Sequence, residues 1–231
     1  MRKIVFLLLL LISSVVGQLP QLQNHLIQHK YYTLNYNEQH EQADWVMYKL
    51  SPAMLKNRVV DRKDCFRMDK MVRSKSASSS DYSKSGYDKG HLCPSADMLF
   101  DSIAMVETFF MSNMSPQKPY FNRGIWKKLE GFTRNYVMVQ DGVYVVTGPI
   151  LTNNLNTIGK NKVSIPNYYY KILVDNDMDK AIGFLMKNEK TSLPLDSFVV
   201  SIDSLEKLTG MDFFSIHEEI ESRRGNIIRW K

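Results

Sequence analysis

Apolar and polar positions alternate with a period of two in several short runs of the chain and recur at helical spacing in a few others. Tyr31 to Tyr36 alternates as a half-buried strand does, and Asp44 to Leu50 (DWVMYKL) is richer in aromatic and branched residues. Gly142 to Gly148 (GVYVVTG) reads as a buried strand closed by Pro149. Tyr168 to Asp175 and Ala181 to Lys187 predict two strands joined through Asn176-Asp177-Met178-Asp179, and Ser197 to Ser201 predicts a short one. Helical spacing appears in Ile103, Val106, Phe109 and Phe110, within Ser102 to Met111, with Ser102 as N-cap. Ile125, Leu129, Phe132 and Tyr136 form an i, i+4, i+7, i+11 stripe that predicts a helix over Asn122 to Tyr136. Ile202 to Thr209 predicts a short helix stopped by Gly210. Strands outnumber helices and do not alternate with them. The pattern predicts an α+β fold, with a central, mostly antiparallel sheet and helices packed on it.

Two stretches break the pattern. Ser51 to Tyr87 is polar, with SKSASSSDYSKSG at its heart, and predicts a long loop with a mobile tip. At the start, Arg2 and Lys3 precede the apolar run Ile4 to Ile12 and the small residues Ser13 to Gly17. That order predicts a signal peptide over residues 1–17, cleaved before Gln18, and one domain over 18–231. The apolar run is too short to span a bilayer, which takes about 20 residues, so no stable membrane insertion of the mature chain is expected. Export to a periplasm or out of the cell follows. An oxidising compartment in turn permits Cys65 and Cys93, the only 2 cysteines, to form a disulfide; two separate buried thiols are the alternative.

Charge adds a direction. The formal net charge is +6, but its distribution matters more than its sum. Residues 56–75 carry 8 Lys/Arg against 3 acids, and residues 118–134 carry 5 against 1. These two stretches bracket His91, and such a field attracts a phosphate backbone. No element looks like a groove-reading helix with base-specific side chains, so contacts are expected mainly to the backbone.

His91 is the strongest candidate for chemistry. It sits in Gly86-Tyr87-Asp88-Lys89-Gly90-His91-Leu92-Cys93-Pro94, where an acid, a base and an imidazole lie between glycines. The other four histidines, His25, His29, His40 and His217, read as surface residues. No H-E-x-x-H helix, P-loop or G-x-S-x-G elbow is present. A general base with an ordinary histidine pKa would give an activity that falls as pH drops through about 6.5.

Three blocks in register carry a resemblance. They are Asp88-Lys89-Gly90-His91, Ser112-Asn113-Met114-Ser115-Pro116-Gln117, and Asn122 to Glu130 (N-x-G-x-W-x-x-L-E). The sequence resembles the DNA/RNA non-specific endonucleases, whose site lies on a ββα-metal (His-Me) finger. Weaker likeness extends to Arg62, Phe66 and Asp69 and to Leu205 to Phe214. The resemblance implies an endonuclease acting on DNA and RNA with little sequence preference. It implies His91 as general base, Asn122 as the one direct protein ligand to Mg2+ (with Mn2+ a possible substitute), and Glu130 as a carboxylate orienting coordinated water. Arg62 matches a phosphate-binding arginine. Lys89 stands where the family has arginine, keeping the charge but losing the bidentate fork; a weakened nucleic-acid-binding protein on the same fold is the alternative. The finger is expected over roughly Tyr87 to Glu130, its first strand preceding or containing His91. Asp88 is expected to hold the turn, Asn113 to cap or turn, and Trp126 to lie in the core.

Overall fold

The computed structural model describes residues 25–213, 218–222 and 224–230. The segment read as a signal peptide, 1–17, lies outside the described residues.

Strands β1 (Leu26–Gln28), β2 (Tyr32–Asn37) and β3 (Gln42–Leu50) form an antiparallel meander. A short helix, α1 (Pro52–Lys56), then opens a long excursion from the sheet. The excursion contains β4 (Asp88–His91), α2 (Ser102–Glu107), β5 (Met114–Gln117) and α3 (Lys127–Val139). The chain re-enters the sheet as β6 (Val143–Pro149), beside β3. A small hairpin, β7 (Thr157–Ile158) with β8 (Val163–Ser164), precedes β9 (Tyr168–Asp175), β10 (Ala181–Lys187) and β11 (Val199–Val200). Helix α4 (Ile202–Thr209) follows and ends at Gly210, which takes the left-handed conformation at φ 69°. The main sheet is 7-stranded in the order β1-β2-β3-β6-β9-β10-β11, and every neighbouring pair is antiparallel. The fold is α+β, as the pattern predicts.

Alternation along the strands feeds two cores. From β9, Tyr169 and Leu173 join the core that takes in Trp126, Leu129, Tyr136 and Val137, whereas Tyr170, Ile172 and Val174 join Ile202, Leu205 and Phe213 on the other face. Each fully buried Leu or Val contributes about 1.5–3 kcal/mol relative to exposure, so α3 is clamped to the sheet by its own stripe. Between Tyr169 and Leu173, on the face toward α3, stands a fully buried lysine, Lys171.

The structure revises several expectations. The N-cap of α2 is Asp101, not Ser102: its Oδ1 accepts from the Ile103 and Ala104 N–H groups at 2.8 and 2.9 Å. The helix predicted from Asn122 begins with a wide turn over Phe121–Trp126, non-helical at Gly124, before α3 proper. The serine-rich stretch is packed rather than a free loop at its centre. Asp81 there is buried and accepts hydrogen bonds from the backbone and side-chain nitrogens of Asn161 at 3.0 and 2.7 Å. His29 and His40, read as surface residues, are buried against Asp69 and Ser164. Cys65 and Cys93 are not bridged: both are free thiols. Cys93 is sealed in the core under α3, while Cys65 is only half-buried on the excursion loop.

Candidate active site

Strands β4 and β5 pair antiparallel over Asp88↔Gln117 to His91↔Met114, and α3 follows them, completing a ββα unit. Its first strand contains His91, and Asn122 stands on the turn leading into its helix. Asn113 braces the strand end: its Oδ1 accepts from the Cys93 N–H at 2.8 Å, and its Nδ2 donates to the Cys93 and Thr108 carbonyls. It is a buried strut, in keeping with a structural role.

The unit forms one wall of an open cleft of about 630 Å³ lined by Arg62, Phe66, Lys89, His91, Asn122, Arg123, Lys127, Glu130 and Arg134, among others. All five residues proposed for chemistry thus meet in one place, although Arg62 and Glu130 are far apart in sequence.

His91 is almost fully buried, its ring edge-on to Phe109 with centroids 4.9 Å apart and 5.9 Å from the Phe66 centroid. Its Nε2 has no hydrogen-bond partner among the described residues. Burial, aided by the nearby Arg62 guanidinium and opposed by Asp64, pushes the imidazole pKa down to about 3. The acid limb expected near 6.5 therefore does not belong to His91 in the free protein. Apolar walls and a neighbouring cation keep its ring neutral well below that pH.

This has a sign for stability. Between pH 6.5 and 3 an unfolded chain binds a proton at His91 that the folded chain does not. Stability from this group is therefore complete above pH 6.5 and is lost as pH falls, at up to about 1.4 kcal/mol per unit. Glu130, raised to about 7 by burial, contributes the opposite slope between its unfolded pKa near 4.5 and 7. Denaturant unfolding of His91→Asn and wild type, compared at pH 6.5 and 4.5, removes the Glu130 contribution. The variant should gain on wild type as pH falls; a constant difference would mean His91 is not held neutral.

Asp88 fastens the strand to the turn. Arg123 donates to it through Nε and Nη2 at 2.8 and 2.7 Å, and Asn122 Nδ2 donates at 2.9 Å. Burial pushes the Asp88 carboxyl up, but these hydrogen bonds outweigh it and hold the group below the ordinary range. With its nitrogen committed to a carboxylate, Asn122 is left with its carbonyl Oδ1 as an uncommitted acceptor. Lys89 lies over the Phe66 ring at 4.6 Å, and half-exposed Arg62 lies 5.3 Å from the Phe109 centroid while pairing with Asp64 at 2.7 Å. Glu130 makes no hydrogen bond to another described residue. Burial raises its carboxyl to about 7, Asp97 adds to the rise, and Lys171 is the largest opposing influence.

Sequence reasoning left out Arg134, Asp97 and Lys171. Arg134 reaches Asp97 at 2.8 Å, and Asp97 also accepts from the Tyr48 hydroxyl at 2.9 Å. A signal for Arg134 existed: Arg123, Lys127, Glu130 and Arg134 follow i, i+4, i+7, i+11 and all line the cleft.

A ββα unit presenting a neutral imidazole, an amide oxygen and a rim of cations is suited to phosphodiester chemistry. The comparisons agree. The chain matches the DNA/RNA non-specific endonuclease family over residues 15–218. It is 33% identical to the human mitochondrial endonuclease G, over 79% of this chain and 67% of that protein. It is 35% identical to a nuclease of Nostoc sp., over 88% and 80%, and 35% identical to the mitochondrial nuclease of Saccharomyces cerevisiae, over 77% and 61%. Its fold superposes on a chain of the EndoG/EndoGI complex with a TM-score of 0.78 at 30% identity, covering 86% of this chain and 89% of that one. The chain belongs to the DNA/RNA non-specific endonuclease family, and its function is that of a nuclease.

One expectation is overturned here. Relatives in human, cattle and yeast are mitochondrial nucleases, so the reading of this chain as an exported, periplasmic or extracellular protein does not stand. A charged start followed by a short apolar run does not by itself fix a destination. No helix among the described residues is long and apolar enough to cross a membrane.

Proposed function

We propose that the protein is a divalent-cation-dependent endonuclease that hydrolyses internal phosphodiester bonds of DNA and RNA with little sequence preference. The observation that carries this reading is His91, which lines the cleft and whose buried Nε2 has no hydrogen-bond partner among the described residues.

The donor set fits a hard, hydrated ion such as Mg2+, with Mn2+ a substitute. Asn122 Oδ1 is a neutral oxygen left open by the Asp88 contact, and Glu130 is an oxygen donor with no hydrogen bond to another described residue. When bound, the cation would offset negative charge on the reacting phosphate and leaving oxygen. Asn122 would hold it, and Glu130 would orient water beside it. Arg62 and Lys89 would grip the phosphate, Lys89 as a point charge. His91 Nε2 would accept a proton from water as its oxygen attacks phosphorus and the bond to the leaving oxygen breaks. An imidazole this weak in the free protein gains basicity when an anionic phosphodiester approaches, because a nearby negative charge favours the imidazolium.

Covalently closed circular DNA tests the reading, since it has no ends for an exonuclease. With Mg2+ the protein should nick and then linearise it, and should degrade a structured RNA under the same conditions. In excess chelator both reactions should stop; undiminished cutting there would remove the cation from the mechanism.

A further inference from the structure

We infer that a second cavity, adjoining the cleft, holds one unpaired nucleotide of the strand being cut and so favours single-stranded DNA and RNA over duplex. The inference rests on the cleft being the place where strands are cut.

The cavity, of about 290 Å³, is lined by Tyr87, Lys118, Asn156, Ile165, Asn167 and Lys187, among others. Tyr87 also lines the cleft of His91, so the two spaces meet at one residue. Buried Asn188 ties the cavity together. Its Oδ1 accepts from the Lys118 N–H at 2.8 Å, and its Nδ2 donates to the Pro116 and Pro166 carbonyls, each at 3.0 Å. Pro116 belongs to β5, so the cavity is fastened to the ββα unit itself. Past the cavity the same two segments stay together: Lys190 Nζ lies 5.3 Å from the centroid of the Tyr120 ring, and Tyr120 is 72% exposed.

The chemistry of the lining selects the ligand. Asn156 and Asn167 commit their backbone carbonyls, which accept from the Ile165 and Asn188 N–H groups at 2.7 and 2.8 Å. Their side-chain amides make no hydrogen bond to another described residue, and each can both donate and accept, which suits the edge of any base. Tyr87, Ile165 and Pro166 add apolar surface for a base or sugar. Lys187 pairs with Glu189 at 3.0 Å, whereas Lys118 forms no ion pair with another described residue, which leaves its ammonium for a phosphate. The volume lies at the lower end for ligand pockets, about 300 Å³, and suits one nucleotide, not a duplex. A base inside a duplex has its edges paired and its faces stacked, while an unpaired base enters a pocket at little cost. The exposed Tyr120 ring then offers a face on which a neighbouring base stacks.

Two substrates separate this from a merely structural cavity. With Mg2+, kcat/KM would be measured on single-stranded oligothymidylate of about 20 residues and on relaxed, closed circular DNA. The proteins compared would be wild type, Tyr120→Ala and the double variant Asn156→Ala with Asn167→Ala. All three positions are exposed, so the variants should fold. The double variant should lose about 5–30-fold on the single strand, the scale of two hydrogen bonds, and change by no more than a few fold on the circle. Tyr120→Ala should lose about 5-fold or more on the single strand, the scale of one stacked base, and likewise spare the circle. Equal losses on the two DNAs, or a single strand cut as well by either variant as by wild type, would overturn the inference. So would a wild-type protein that, in chelator, binds free thymidine monophosphate as tightly as the oligothymidylate, since the cavity would then serve a free nucleotide. A wild-type protein inert on both DNAs would instead count against the nuclease reading itself.

Discussion

His91→Ala is expected to lower kcat on DNA by about 10²–10⁴-fold, the usual contribution of a positioned base. No other imidazole among the described residues lines the cleft, and the aromatic rings of Phe66 and Phe109, packed on His91, cannot accept a proton. Because the ring is neutral in the free protein, its removal takes no positive charge from the cleft. DNA affinity in chelator and the slope of affinity against salt should therefore match wild type. Neutralising Lys89 or Arg62 should behave differently, weakening both binding and rate.

Asn122→Ala should cost at least about 10²-fold in Mg2+-supported turnover, since it removes the one side-chain amide oxygen among the described residues that line the cleft. The loss should ease partly at raised Mg2+, because the site is weakened rather than filled by a rival group. Asp88 stays paired with Arg123 in this variant, so the finger should remain folded and melt near the wild-type temperature. The measurement is turnover of closed circular DNA against Mg2+ concentration. An unchanged curve would take Asn122 out of the cation's environment.

Much of the fold was legible because burial imposes period two on strands. β3, β6, β9 and β10 fall within a residue or two of their predicted bounds. β1 was missed because Ile27 is its only buried residue, between exposed Leu26 and Gln28 in a polar segment. The candidate site was legible only through short blocks: Asp88 to His91 and Asn122 to Glu130 each name their residues locally. What joins them is not local. Asp88 and Asn122 meet across 34 positions, and the depressed basicity of His91 comes from burial among groups remote in sequence. The disulfide expectation failed because an even cysteine count carries no information on distance or direction. Lys171 did leave a trace, a lone charge inside the buried run Tyr169 to Val174, but nothing in sequence says which face it takes or what lies above it.

Chemical rescue tests the central claim, that the His91 imidazole is the base, most directly. His91→Gly would be given closed circular DNA at saturating protein and Mg2+, and single-turnover cleavage followed as imidazole is added. The expected result is a rate at least about 10²-fold below wild type without imidazole, rising with the concentration of neutral imidazole as it occupies the space beside Phe109. Cleavage by folded His91→Gly at close to the wild-type rate, with no imidazole present, would contradict the account.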